Sequence, residues 1–190
     1  LVGVVTAAQP VIEDAHRRTA ILEGGMADRV HLGHLQSAAG HACSQPDGDG
    51  GEDPTIDPVV LAAGNYTLTV HFENRLEDPP EDITEEVNDE SDQHLVLFTG
   101  SAVVGPATDN ATGPLAQTYA DEDINGLPVG LTNSIVATPG TGMMTVTLRH
   151  MPPEEPPEKG EDTLDIVRID GFDSIGGSTD ARVIFDVTVQ

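Results

Sequence analysis

Tryptophan is missing from this sequence, and four Phe and two Tyr are its whole aromatic complement. A core built from it has to be aliphatic, and a cleft lined with rings for stacking sugars is excluded. Cys43 stands alone, so no intrachain disulfide can form and stability must come from packing. Lysine is almost absent: Lys159 is the single one, and with seven Arg it faces 33 Asp and Glu, a formal net charge of −25. A field of that sign repels nucleic acid and anionic membranes. No apolar run approaches the ~20 residues that a bilayer-spanning helix needs. A nucleophile elbow, a Walker loop, a Rossmann glycine pattern and a zinc-protease helix are likewise missing. Paired acids are so many that no one pair points to glycosidase chemistry. The chain therefore reads as non-catalytic.

The acids themselves have two readings. A carboxylate blanket with almost no lysine suits a protein kept soluble in concentrated salt, where screening over a few ångströms removes most self-repulsion. The other reading makes some of them local cation ligands. Charge runs are usually solvated faces, which favours the halophilic surface.

What is present in abundance is strand signal. Residues 64–72 alternate, with Tyr66, Leu68, Val70 and Phe72 on one face and Thr67, Thr69 and His71 on the other. Residues 141–150 repeat the pattern, with Met144, Val146 and Leu148 inward and Thr145, Thr147 and Arg149 outward. Residues 181–190 close the chain the same way, with Val183, Phe185, Val187 and Val189 together. Residues 95–104, 131–137 and 164–169 are further strand candidates. Strands separated by Gly, Pro, Asn and Asp clusters predict an all-β fold, an immunoglobulin-like antiparallel β-sandwich with acidic Pro/Gly-rich loops and an N-terminal arm. Residues 1–25 form the arm or an extra strand, and residues 26–190 form the sandwich domain.

Two loops stand out. Residues 77–90 have room for one helical turn, which Asp82 or Thr84 would cap. Residues 151–160, MPPEEPPEKG, cannot donate a sheet ladder and read as an exposed polyproline-like hairpin tip.

Several blocks occur in an order that carries a resemblance. They are PDGDGG at 46–51, PTIDPVVL at 54–61 followed by Tyr66, and EDITEEV at 81–87 with Asp92, Gln93 and His94. They continue with YADEDINGLPVGL at 119–131, GMMTVTLRH at 142–150 and TDARVIFDVTVQ at 179–190. From about residue 46 onward the chain resembles a family of small secreted lipoproteins of Bacteroidota. Its members are sometimes labelled type 1 periplasmic binding-fold proteins and sometimes occur beside outer-membrane TonB-dependent receptors. The resemblance implies an exported protein of the extracellular or outer-membrane surface. A periplasmic binding fold needs alternating strands and helices over a longer chain, so the fold expectation stays with the strands. The first 45 residues depart from the family pattern: they have no lipobox cysteine, and Cys43 sits too deep to be one.

Asp121, Asp123 and Asn125, ahead of Gly126, have the D-x-D-x-N-G spacing that lets a tight loop aim three oxygens at one Ca²⁺. The twelfth position is Thr132 and not an acid, so a calcium loop here would be completed from another acidic loop. Asp47 and Asp49, with Glu52 and Asp53, are a second such set. The plainer reading is a polar turn whose side chains bond their own backbone. His31, His34, His41 and Cys43 offer soft ligands in a short window, but a strand there sends His31 and His34 to opposite faces. His94 and His150 would meet near Glu85 or Glu86, although two histidines at strand ends are more often surface residues.

Two functions remain. One is a structural or interaction module of the cell surface, with a protein partner or a second copy of itself. Leu1, Val2, Val4 and Val5 would then be donated as a strand to the open edge of a neighbour, propagating a filament. The other is a cation-binding accessory protein, for Ca²⁺ or Zn²⁺, acting near an outer-membrane receptor.

Overall fold

The alternation over residues 66–72 does what a period of two dictates: one face of a strand goes into a core and the other toward water. In a computed structural model of the chain, this strand is part of a fold made mostly of β-strands in two mixed sheets with few helices. The structure describes residues 2–10, 29–32, 43–44, 55–74, 79, 81–153 and 157–190.

The larger sheet runs β2 (Arg29–Leu32), β1 (Val2–Pro10), β6 (Gly64–Asn74), β11 (Thr132–Ala137), β10 (Leu115–Tyr119) and β9 (Val103–Val104). Its pairings are antiparallel except β9 beside β10, and β7 (Glu81–Asp82) joins the far end of β6. The smaller sheet runs β5 (Val59–Leu61), β13 (Ser178–Val189), β12 (Gly140–His150) and β8 (His94–Thr99), with β5 parallel to β13. A separate pair joins β3 (Cys43–Ser44) to β4 (Thr55–Ile56).

One aliphatic core draws on both sheets. Leu68, Val70 and Phe72 of β6 and Ile135 of β11 share it with Val96 and Phe98 of β8, Met144, Val146 and Leu148 of β12, and Phe185, Val187 and Val189 of β13. Burying each such side chain contributes on the order of 2 kcal/mol. A second cluster lies on the other face of the smaller sheet. Leu95 and Leu97 of β8 meet Ala107, Met151, Ile175 and Val167, the last from α2 (Thr163–Asp170). Strand β8 is thus buried on both faces, which explains its unbroken apolar run at residues 95–98.

Three expectations change. Residues 164–169 are helical: Thr163 and Val167 are buried one helical turn apart, the Thr163 hydroxyl accepts from the Gly160 amide, and Gly171 ends the helix at φ 89°. The alternation of Leu164 and Ile166 mimicked a strand, but the buried face has the helical period. Thr145 and Thr147 are not outward; both are buried on the face that α2 covers. At the two ends of residues 151–160 the expected exposure is not found: Met151 is buried beside β8 and the Lys159 side chain is drawn inside, while residues 154–156 lie outside the described residues. The helical turn expected within 77–90 is α1 (Thr84–Asp89), whose first amide, that of Thr84, donates to Asp82 Oδ1 at 2.8 Å. No helix among the described residues is long and apolar enough to cross a membrane.

Candidate functional site

The register between β8 and β12 sets His150 directly opposite His94. Antiparallel partners share a face, and the two rings stack with centroids 4.6 Å apart and planes 9° from parallel. His94 is buried, closing one end of the core between the sheets, while His150 is half-buried. Glu90 follows the last turn of α1, four residues before His94. One ligand atom from each of Glu90, His94 and His150 lies within 4.8 Å of the other two.

The backbone fixes the state of His94. Its Nδ1 lies 3.0 Å from the Glu90 carbonyl oxygen. A carbonyl can only accept, so in the neutral ring the proton sits on Nδ1 and the lone pair on Nε2. Nε2 faces Asp180 of β13, whose Oδ2 is 3.9 Å away. That separation is too long for a hydrogen bond.

Neighbouring contacts hold this corner in shape. The Met151 amide donates to the Gln93 carbonyl at 2.6 Å, and Lys159 Nζ donates to the Ser91 carbonyl at 2.7 Å, tying down the turn between Glu90 and His94. On the other side Arg149 Nε donates to Gly176 O at 2.8 Å, its Nη2 to Ile175 O at 3.2 Å and its Nη1 to Thr179 Oγ1 at 2.9 Å. Gly177, at φ 74°, lies so close to β12 that a Cβ there would run into the His150 carbonyl. Imidazole nitrogen and carboxylate oxygen together suit zinc and its first-row neighbours, whereas calcium takes oxygens alone.

The acidic loop at residues 121–126 has a different interior. Asp121 Oδ1 accepts from the Gly130 amide and Oδ2 from the Thr132 amide, each at 2.8 Å. Asp123 Oδ1 accepts from the Asn125 amide at 2.8 Å and the Leu127 amide at 2.9 Å. Lys159 Nζ stands 2.7 Å from Asp123 Oδ2, with both side chains closed to solvent. This last contact is a charge pair more than an aligned hydrogen bond. Burial by itself would raise the Asp123 carboxyl, but the Lys159 ammonium and the two amides outweigh it, and its pKa falls below the ordinary value. Burial also draws Lys159 below its ordinary value, against the opposing pull of Asp123, Asp121 and Asp92. Tyr119, buried first and beside Asp121 second, is raised. Asn125 is exposed and lends the loop its backbone amide.

The remaining sequence candidates divide as follows. Asp47, Asp49, His34, His41 and Leu1 lie outside the described residues. Val2, Val4 and Val5 belong to β1, which pairs antiparallel with β6 of the same chain, Val5 opposite Val70. His31 is on β2, opposite Thr6. His94 and His150 do come together, yet the carboxylate beside the pair is Glu90, with Asp180 beside His94, and not Glu85 or Glu86. An acid at the end of a predicted helical turn, four residues before a histidine, was the available signal for Glu90; Asp180 had none. No family model, curated protein or solved structure matches this chain.

Proposed function

We propose that this chain is a non-catalytic, exported module that holds a transition-metal ion, with its two sheets arranged as an immunoglobulin-like antiparallel sandwich. The observation that supports the reading is the meeting of His94, His150 and Glu90 at one end of the core, with the His94 Nδ1 proton held by the Glu90 carbonyl so that Nε2 keeps its lone pair. The oxygens of Asp121 and Asp123 already accept from amides or face Lys159, so the cation reading draws its support from the histidine corner and not from that loop. The resemblance to secreted Bacteroidota lipoproteins suggests the setting, an accessory role near an outer-membrane TonB-dependent receptor. Calorimetry on chelator-stripped protein tests it. Zn²⁺ is expected to bind one per chain in the micromolar range or tighter, Ca²⁺ far more weakly, and His94→Ala and His150→Ala to remove the zinc heat. Wild-type protein that takes up no zinc would sink the reading.

A second reading has its own support in β1. Its ladder with β6 runs from Val2 to Pro10, and the same backbone pairing can be supplied by the N-terminal strand of another copy. Self-assembly by strand exchange, head to tail, then gives a filament. Deleting residues 1–12 should reduce assemblies to folded monomers in size-exclusion chromatography, and unchanged elution would refute exchange.

A further inference from the structure

The geometry points to Asp180 as a fourth metal donor, making this corner a closed site with two nitrogens and two carboxylates, built for zinc; this rests on the three-residue site proposed above. The first observation is a defect in the β12–β13 ladder. Leu148 pairs with Ala181 but Arg149 pairs with Thr179, so Asp180 is the extra residue of a β-bulge. Bulges re-aim side chains, and this one turns Asp180 toward His94, in a strand otherwise regular from Ala181 to Val189. Arg149 fixes the approach to the bulge through Ile175, Gly176 and Thr179, and Ser178 Oγ lies 3.4 Å from Asp180 Oδ1, leaving Oδ2 toward His94.

The second observation is the gap. At 3.9 Å, Asp180 Oδ2 and His94 Nε2 are too far apart to hydrogen-bond. They are close enough to share an ion, since two donors at zinc's bonding distance of about 2.0–2.1 Å span at most roughly 4.2 Å. Asp180 stands outside the three-residue group whose donors lie within 4.8 Å of one another, so a tetrahedral set would have to draw all four donors to roughly 3.3 Å apart. Glu90, exposed at the end of α1, and the half-buried His150 have room to make that movement, while the buried His94 supplies the fixed point.

Two neutral imidazoles and two carboxylates give zinc four protein donors and cancel its charge. The site then has no open position for water, and the metal pins β8, β12 and β13 and the turn after α1 to one another. Such a centre stores, carries or stiffens, and does not hydrolyse.

Cobalt, as a spectroscopic stand-in for zinc, tests the assignment on the full chain. In a Cys43→Ser background, Asp180→Cys should produce a thiolate-to-cobalt charge-transfer band in the near ultraviolet that Cys43→Ser alone lacks. Asp180→Asn should weaken zinc by roughly tenfold or more and lower the tetrahedral cobalt absorption. Cobalt that binds Asp180→Cys without the new band, together with an unchanged spectrum in Asp180→Asn, would overturn Asp180 as a donor and leave the three-residue site standing. If Cys43→Ser protein binds neither cobalt nor zinc, the site itself fails.

Discussion

The loop at residues 121–126 and the corner at His94 and His150 both gather groups that metals accept, and folding treats them in opposite ways. In the loop each carboxylate oxygen of Asp121 and Asp123 finds a backbone amide or the Lys159 ammonium. In the corner Nε2 of His94 and Oδ2 of Asp180 face each other across a distance that no proton bridges. Ligand spacing along a sequence therefore says less than the number of lone pairs left over once the backbone has been served. The loop carries the sequence signature of a cation site and a lysine acts as its cation; the corner carries no motif and leaves His94 Nε2 and Asp180 Oδ2 without a hydrogen bond between them.

The loop is most vulnerable at Lys159. Lys159→Met leaves Asp123 buried without its charge partner, which should cost about 3–5 kcal/mol and lower the melting temperature by on the order of 10 °C. A melting point within about two degrees of wild type would mean that the lysine does not seal the loop. The same variant should alter the pH response. Asp123 has a folded pKa below its unfolded 3.8, so its contribution is complete above that value and is lost as pH falls through the folded pKa. Lys159 has a folded pKa below its unfolded 10.5, so over that alkaline window the unfolded chain holds the extra proton and stability rises with pH. Lys159→Met should reduce the acid loss below about pH 4 and abolish the alkaline rise, as urea titrations at stepped pH would record.

The histidine corner should respond less strongly. Zinc at a hundred times its dissociation constant should stabilise the native chain by about 2.7 kcal/mol, seen as a melting point several degrees higher, and His150→Ala should melt at one temperature with or without it. An equal rise in that variant would move the metal away from this corner. The smallest change is expected at the surface. Arg168 and Asp165 pair at 2.7 Å one turn apart on α2, but both are exposed. Screening by solvent leaves about 0.3 kcal/mol, so Arg168→Ala should melt within a degree of wild type, and a larger drop would show that surface pairs matter here as buried ones do.

The sequence carried the long strands well because their burial pattern is local. Leu68, Val70 and Phe72, or Phe185, Val187 and Val189, need only alternate to be read. It misled at residues 164–169, where Leu164 and Ile166 alternate within a helix, and at Thr145 and Thr147, whose outward face acquires a second cover from α2. At the candidate site both histidines were legible. Their acidic neighbours were not, because Glu90 arrives through the turn after α1 and Asp180 through a one-residue slip in the β12–β13 register. For Asp123, the local turn was readable in D-x-D-x-N-G, but its partner lies in another loop, and nothing in either segment names the other.

The seclusion of Lys159 also gives this chain a built-in clock. Acylating reagents attack only a free amine, and the one lysine side chain holds its nitrogen between Asp123 and the Ser91 carbonyl. Labelling at that residue can proceed only when the stretch that holds Lys159 just ahead of α2 lifts away from Asp123 and Ser91. Its rate under native conditions therefore reads out the free energy of that one local opening, followed as a single mass increment with no engineered probe.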